Sequence, residues 1–236
     1  MAVAPLSIPA TSHVPSTVFV PGGRFRMGSE DGRADERPAH EVDVRPLRVG
    51  RTPVSNMEYG SFLAAGGAPE PPWWRDPELW HPQQPVVGVT WAEAAAYCAW
   101  LAATVGGHWR LPTEAEWEHA VAGGLSGQPT PWGARVPQGE LPRPPLTGPW
   151  RLGLGQPNPY GLLDPGTVVY EWCADWYAPD SYRFTRRYDP RGPEKGERRV
   201  RRGGSWRGQA APSARSASDP CARAVDGGFR VVREVP

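Results

Sequence analysis

The chain is organised around residues 198–233, RRVRRGGSWRGQAAPSARSASDPCARAVDGGFRVVR. This stretch opens with a short β-prone run, passes the glycine pair Gly203-Gly204 beside a tryptophan, and closes on a second pair, Gly227-Gly228, beside a phenylalanine. Only glycine takes positive φ without steric cost, so such pairs mark tight turns or close approaches of the backbone. The segment predicts a strand, a surface loop of about twenty residues and a second strand, and long loops in compact domains are usually functional.

The composition indicates an ordered but loop-rich domain. The 236 residues include 30 Pro, 28 Gly and 12 Trp, and disordered chains are poor in aromatic residues. We therefore expect a core built from tryptophan in a single domain, residues 17–236, that follows a disordered tail, residues 1–16. The first 19 residues hold no Lys or Arg and no apolar run, which predicts neither a signal peptide nor a membrane segment. The expected location is cytoplasmic.

Charge is distributed unevenly along the chain. The net charge of +1 argues against a polyanion-binding protein, and no nucleic-acid partner is expected. Residues 181–236 nevertheless carry 13 Arg and one Lys against six acids. These arginines either form a patch for an acidic partner or stack on aromatic rings and pair with carboxylates elsewhere, and we favour the second interpretation.

Three helices are predicted, each from the same pair of start and stop signals. Each begins with an S/T-x-x-E capping box, in which the hydroxyl and the carboxylate satisfy backbone N–H groups of the first turn. Each ends at a glycine pair. The boxes are Ser55 with Glu58, Thr90 with Glu93, and Thr113 with Glu116.

Periodicity adds further elements. In the second helix Ala94, Tyr97, Cys98 and Leu101 recur at helical spacing and predict one buried face. Residues 18–29 alternate around a Pro-Gly-Gly break, which predicts a β-hairpin. His40 to Val44 alternate polar and apolar residues, which predicts a strand exposed on one face.

Four motifs carry a family resemblance: PGGRFRMG at 21–28, RLPTEAEWE at 110–118, GLLDPGTVVYEW at 161–172 and GGSW at 203–206. They resemble the formylglycine-generating enzyme, or sulfatase-modifying factor, family. The resemblance implies an α+β, C-type-lectin-like fold with low regular secondary structure, few short helices and small antiparallel sheets.

The resemblance implies a copper ion, held in the family by two cysteines that follow the Gly-Gly-Ser-aromatic motif. Those positions are Gly208 and Ser213 in this chain. Neither residue replaces a thiolate as a Cu(I) ligand. The substitution argues against copper-dependent oxidation of cysteine to formylglycine, although an active oxidase of this type remains an alternative.

The resemblance also implies a structural Ca²⁺ site. Its ligands would be the side chains of Asp164 and Glu171 and the main-chain oxygens of Thr167 and Val169. Calcium takes about six to eight oxygens and accepts such a mixture. The family has glycine at the position of Thr167, so the loop departs from the pattern there. The alternative is a loop closed by Asp164 and Glu171 accepting local N–H bonds without an ion.

Other chemistry finds little support. Cys98 and Cys173 lie in apolar patterns and are expected to be small buried residues, while Cys221 lies in the C-terminal loop without a second thiol nearby. Glu114, Glu118 and the neighbouring histidine are interpreted as helix-face residues without a catalytic role.

The C-terminal loop is the predicted binding surface for a protein or peptide partner. Arginine would supply bidentate contacts to a carboxylate and tryptophan a flat apolar wall. A further alternative is a structural or regulatory subunit that acts beside an active homologue. The candidate binding residues are Ser205, Trp206, Arg207, Gln209 and Arg215.

Overall fold

The computed structural model describes residues 13–139 and 147–235. These ranges contain three α-helices and ten strands, with 3₁₀ turns at Ala34–Glu36 and Ser181–Arg183. This is the predicted α+β architecture of few short helices and small sheets. The helices are α1 (Asn56–Ala64), α2 (Trp91–Val105) and α3 (Glu114–Ala122). The strands are β1 (Thr17–Val20), β2 (Gly23–Met27), β3 (His40–Val44), β4 (Leu47–Gly50), β5 (Trp109–Arg110), β6 (Tyr170–Trp176), β7 (Arg199–Arg202), β8 (Arg215–Ser218), β9 (Gly227–Gly228) and β10 (Val232–Glu234).

The strands described form three small sheets. Their orders are β1-β4-β10-β5, β2-β3 and β8-β7-β6-β9. Pairing is antiparallel except between β6 and β9, which run parallel. Strand β10 lies beside β4, so the C-terminal segment joins the N-terminal sheet and closes the domain.

The predicted hairpin over residues 18–29 is wrong. Strand β1 pairs with β4, and β2 pairs with β3 in a different sheet. The turn at Pro21-Gly22 therefore carries the chain from one sheet to the next. Local alternation identified both strands correctly, but it contains no information about which strand each one pairs with.

The C-terminal segment is more structured than its sequence predicts. The expected loop after β7 contains a further strand, β8, which pairs with β7 over all four of its residues. The expected closing strand is split into β9 and β10, because the residues between them turn into the core. Residues 198–233 thus supply strands to two of the three sheets.

The helices begin and end close to the predicted capping signals. All three capping boxes are present, with both the hydroxyl and the carboxylate bonded to backbone N–H groups. Gly106 is the C-cap residue of α2, and Gly123 is that of α3, in the left-handed region with φ of 60°. The predicted inner face of α2 is confirmed, since Ala94, Tyr97, Cys98 and Leu101 are its buried residues.

The prediction of a core built from tryptophan is wrong, because 14 valines are buried in the described chain against three tryptophans, and the other nine tryptophans are only partly buried. Trp117 and Trp172 are the largest fully buried side chains. The predicted tail is described only for residues 13–16, where the His13 N–H donates to Ser61 and the Ser16 carbonyl accepts from Arg51. Within the described ranges, every helix is too short or too polar to span a bilayer.

Candidate functional site

The loop that follows β7 is fixed against the segment 164–169. Gly203 has φ of 85°, and a Cβ there would lie 2.9 Å from the Cα of Gly166. The Gly204 N–H donates to the Gly166 carbonyl at 2.8 Å, and the Trp206 N–H donates to Val168 at 2.9 Å. Two backbones meet here without room for a side chain, so glycine is required at this point of the motif.

Ser205 shapes the turn that follows. Its side chain is buried, its hydroxyl donates to Asp226 Oδ2 at 3.0 Å, and its oxygen accepts the Arg207 N–H at 3.2 Å. The backbone groups of Ser205 and Gly208 bond each other in both directions. The structure therefore uses Ser205 to hold the loop and leaves its hydroxyl without access to solvent.

The exposed part of the loop is formed by Trp206, Arg207 and Gln209. The guanidinium carbon of Arg207 lies 4.8 Å from the centre of the half-buried Trp206 ring. Gln209 Nε2 donates to the carbonyls of Thr167 at 3.0 Å and Ser205 at 3.1 Å, which ties the loop tip to its base. Within the described ranges the buried Trp206 Nε1 has no acceptor. An indole and a guanidinium are thus presented together on a well-bonded turn.

A shallow cavity of about 220 Å³ lies between this loop and residues 129–136. Sequence reasoning did not place Trp132 in the site, and its one signal is a Pro-Trp-Gly motif in a region without periodicity. Trp132 is held by a hydrogen bond of 3.0 Å from Nε1 to the Gln156 carbonyl. The lining residues of the cavity include Pro131, Trp132, Thr167, Gln209 and Ala210.

Arg215 is located away from this surface. It is 2% exposed, and its guanidinium bonds the Glu114 carboxylate at two points, Nε to Oε1 and Nη2 to Oε2, both at 2.7 Å. The group also lies 4.3 Å from the centre of the Tyr182 ring. A guanidinium buried and paired in this way is not available to a ligand. The prediction that Arg215 contacts a ligand is therefore wrong.

Arg215 belongs to a buried ionic cluster with Glu114, Glu118, Tyr182 and Arg202. Arg202 donates to both glutamates, and the Tyr182 hydroxyl donates to Glu114 Oε1 at 3.2 Å. Burial raises the pKa of Glu118. Both glutamates are thus held by buried guanidinium groups inside the domain.

The cluster also holds the far end of the loop. Arg202 Nη1 donates to the Ser213 carbonyl at 3.0 Å and Nη2 donates to the Pro212 carbonyl at 2.8 Å. The Ser213 hydroxyl donates to Glu36 Oε2 at 3.4 Å. The loop is consequently anchored at both ends, by backbone contact at Gly203 and by a buried cation at Ser213.

This loop does not fit a copper ion. A Cβ built at Gly208 meets no atom within 4 Å, and Ser213 offers a hydroxyl that is already engaged by a carboxylate. Cys98 and Cys173 are buried in separate hydrophobic clusters, and burial raises the pKa of Cys98 to about 12. Cys221 is the one exposed cysteine of the three in the sequence.

The predicted calcium ligands are arranged in a way that does not fit calcium. Asp164 accepts from Trp150 Nε1 at 2.9 Å and the Gly153 N–H at 2.7 Å, and burial raises the pKa of its carboxyl. Glu171 accepts from Trp117 Nε1 at 2.7 Å and is paired with Arg230. The Thr167 carbonyl accepts from Gln209. Both predicted carboxylate ligands are therefore already bonded within the chain, by N–H donors at Asp164 and by an N–H donor and a guanidinium at Glu171.

Arg230 is a second residue that sequence reasoning missed. It is 1% exposed, and its guanidinium reaches both Glu171 and the main-chain oxygen of Asp164, at 3.1 Å. The available signal is a single arginine between Phe229 and Val231 in an otherwise apolar run. Such a residue is almost never fully buried unless it is paired, so it implies a buried carboxylate partner.

Comparisons of the sequence and of the structure with known proteins find relatives that match most of the chain. Residues 4–235 match the family model described as a sulfatase-modifying factor enzyme 1-like domain. The formylglycine-generating enzyme of Thermomonospora curvata is 33% identical, over 90% of this chain and 91% of that protein. The inactive C-alpha-formylglycine-generating enzyme 2 of Mus musculus is 33% identical, over 85% of this chain and 77% of that protein. The structure of PvdO from Pseudomonas aeruginosa is 27% identical with a TM-score of 0.82, over 94% and 95% of the two chains.

Proposed function

Because the chain belongs to the sulfatase-modifying factor enzyme 1-like family, we propose that it uses the fold of formylglycine-generating enzymes to bind a carboxylate-bearing peptide without copper chemistry. The observation that carries this proposal is the pair Gly208 and Ser213. A thiolate pair is the ligand type that suits Cu(I), and neither residue supplies sulfur. The loop after β7 is nevertheless held at both ends, by the backbone contact at Gly203 and by the hydrogen bonds at Ser213. A retained and rigid loop without its redox ligands is suited to binding.

The chemistry of the exposed tip defines the ligand class. The Arg207 guanidinium is exposed and pairs with no carboxylate in the described ranges, so its donors are free for a bidentate contact with a carboxylate. The adjoining Trp206 ring and the nearby cavity beside Trp132 offer apolar walls to a side chain. A cavity of about 220 Å³ accepts one side chain rather than a whole cofactor. These features favour a peptide ligand with a carboxylate, either at its C-terminus or on an acidic side chain, next to an apolar side chain.

Copper chemistry is tested directly. We expect anaerobic titration with Cu(I), in the presence of a chromogenic chelator, to leave the metal on the chelator. We also expect no oxygen consumption with a cysteine-containing peptide. Tight one-to-one copper binding together with oxygen consumption would reverse the proposal in favour of an active oxidase.

Peptide binding is tested by selection. A phage-displayed library is panned on the wild-type protein, with the double variant Trp206→Ala, Arg207→Ala as the counter-selection target. We expect enriched peptides whose affinity for the double variant is at least about tenfold lower, the effect of losing a charge-assisted contact and an aromatic wall. Failure to enrich any sequence, or equal affinity for both proteins, contradicts the proposed site.

A further inference from the structure

A second surface, separate from the loop after β7, lies on the connection between β6 and β7. Two cavities of about 640 and 580 Å³ open there, each within the range of roughly 300–1,000 Å³ that ligand sites occupy. Both are lined by Asp180, so they are neighbours. We call the pair the arginine groove. It is defined by the larger cavity's Tyr177, Arg183, Arg198 and Ser216 and by the smaller cavity's Phe184, Arg186, Tyr188 and Arg191.

Two aromatic side chains stand out from this surface. Phe184 is 78% exposed and Tyr188 is 69% exposed, which makes them the most exposed aromatic residues in the described chain. They lie four residues apart and both line the smaller cavity. Leaving large apolar rings in water is unfavourable, and protein interfaces are enriched in aromatic residues and arginine. The composition of the groove matches that of an interface centre.

The base of the groove is rigid. The Asp43 N–H donates to the Arg187 carbonyl at 2.8 Å, and the Asp189 N–H donates back to the Asp43 carbonyl at 2.9 Å. The Asp189 carboxylate is paired with Arg45 at 2.7 Å. Tyr182, in the middle of the segment, is buried in the ionic cluster. The exposed rings are therefore mounted on a fixed support, which lowers the entropy lost on binding.

Charge in the groove is unbalanced in favour of cations. Within the described ranges the guanidinium groups of Arg183, Arg186, Arg191 and Arg198 have no carboxylate within 4.0 Å and no hydrogen-bond acceptor. The carboxylates that line the groove are partly engaged already. Asp35 is bonded by the Tyr177 hydroxyl and by Arg33, and Asp189 by Arg45. Asp180 and Glu194 remain, so four free guanidinium groups face two free carboxylates.

We propose that the arginine groove binds an acidic segment of a partner protein, with an apolar side chain of that segment seated between Phe184 and Tyr188. The glutamate or aspartate side chains of the partner pair with the free arginines, which supply bidentate contacts. The residual acids Asp180 and Glu194 disfavour a continuous phosphate backbone, and the net charge of +1 does not attract one. A peptide with spaced acidic residues and one apolar residue therefore complements the arginines and the two exposed rings of the groove better than a nucleic acid does.

The test uses the 236-residue chain and an array of seven-residue peptides. The peptides contain zero to four glutamates and one leucine or phenylalanine, and affinity is measured by fluorescence anisotropy. We expect affinity to rise with the number of glutamates and to fall as salt increases. The double variant Arg183→Glu, Arg186→Glu should bind at least about tenfold more weakly, and Phe184→Ala about fivefold more weakly.

Two controls separate this proposal from the others. Arg48→Glu reverses an exposed charge on β4 and should bind within about twofold of wild type. The double variant Trp206→Ala, Arg207→Ala should also keep full affinity for the array, because it alters the other surface. No preference for glutamate, or equal losses in Arg48→Glu and the groove variants, would refute the proposal. Tighter binding of a single-stranded RNA oligonucleotide by the same arginines would replace the protein partner with a nucleic acid.

Discussion

Arg230 donates two hydrogen bonds of 3.0 Å to the Glu171 carboxylate, Nε to Oε2 and Nη2 to Oε1. The two side chains are 1% and 0% exposed. The same guanidinium donates to the carbonyls of Gly50 at 2.8 Å and Asp164 at 3.1 Å. One buried cation thus joins the C-terminal segment to β4 and to the loop before β6. Both oxygens of the Glu171 carboxylate, one of the predicted calcium ligands, are engaged by this guanidinium.

The first prediction concerns calcium. A second cation beside the Arg230 guanidinium would be repelled, so we expect the unfolding temperature to be the same in excess EDTA and in millimolar Ca²⁺. A ligand that binds only the folded state at a hundred times its dissociation constant adds about 2.7 kcal/mol to stability. Differential scanning fluorimetry detects such a change easily. A rise of several degrees with Ca²⁺, but not with Mg²⁺, would show a filled calcium site.

The second prediction concerns the ion pair itself. Arg230→Met leaves the Glu171 carboxylate buried without its cation, and we expect the free energy of unfolding to fall by about 3–5 kcal/mol. The double variant Arg230→Met, Glu171→Gln removes the unpaired charge and keeps an acceptor for Trp117 Nε1, so it should recover part of the loss. Urea denaturation measures both. The exposed pair of Arg24 with Asp43 is the control, where Arg24→Ala should cost less than about 1 kcal/mol.

Features set by neighbouring residues were predictable from the sequence. The boxes at Ser55, Thr90 and Thr113 were correct because both partners of each box lie within four residues. Strand β8 was missed because Arg-Ser-Ala-Ser has little β-propensity. The strand pairs with β7, and its first residue, Arg215, bonds Glu114, which is 101 residues away. Local pattern contains no information on such a contact.

Some candidate site residues could likewise be placed from the sequence, and others depend on tertiary contacts. Trp206, Arg207 and Gln209 lie on an accessible turn, as the Gly-rich motif predicts. Arg215 was placed on the surface because a single arginine after a loop is normally solvated, and only the tertiary fold reveals its buried carboxylate. The arginines after β6 show both outcomes: Arg199 lies between the rings of Trp91 and Trp176, while Arg183 and Arg186 remain free.

The third prediction concerns pH. Burial raises the pKa of Asp175 to about 8, and the nearby charge of Glu114 adds to the effect. The folded state therefore holds the Asp175 proton more tightly than the unfolded chain, where the value is near 3.8. The stability that this proton provides is complete below about pH 3.8 and is lost as pH rises towards 8. The direction is opposite to that of an ion-paired carboxylate.

The variant Asp175→Asn tests this sign. Asparagine keeps an oxygen to accept the Glu114 N–H, which donates to Asp175 Oδ2 at 2.8 Å, and it does not ionise. We expect the variant to gain stability relative to wild type between pH 5 and pH 9, by about 4 kcal/mol if the wild type loses about 1.4 kcal/mol per pH unit up to pH 8. Asp31→Asn, at an exposed position, should track wild type across the range. A constant difference between Asp175→Asn and wild type would contradict the raised pKa.

The fourth prediction restores sulfur to the loop. Gly208 has no positive φ, and a Cβ there meets no atom within 4 Å, so Gly208→Cys should be tolerated. Ser213→Cys is nearly isosteric and exchanges only a hydrogen bond of 3.4 Å to Glu36. Because a thiolate pair suits Cu(I) and one thiolate does not suffice, we expect the double variant to bind one Cu(I) in anaerobic chelator competition. Each single variant should bind at least about tenfold more weakly, since losing one ligand removes more than 1.4 kcal/mol. Equal copper binding by wild type and the double variant would mean that the loop holds metal through groups other than these two positions. Failure of the double variant to bind copper would mean that the two positions no longer converge.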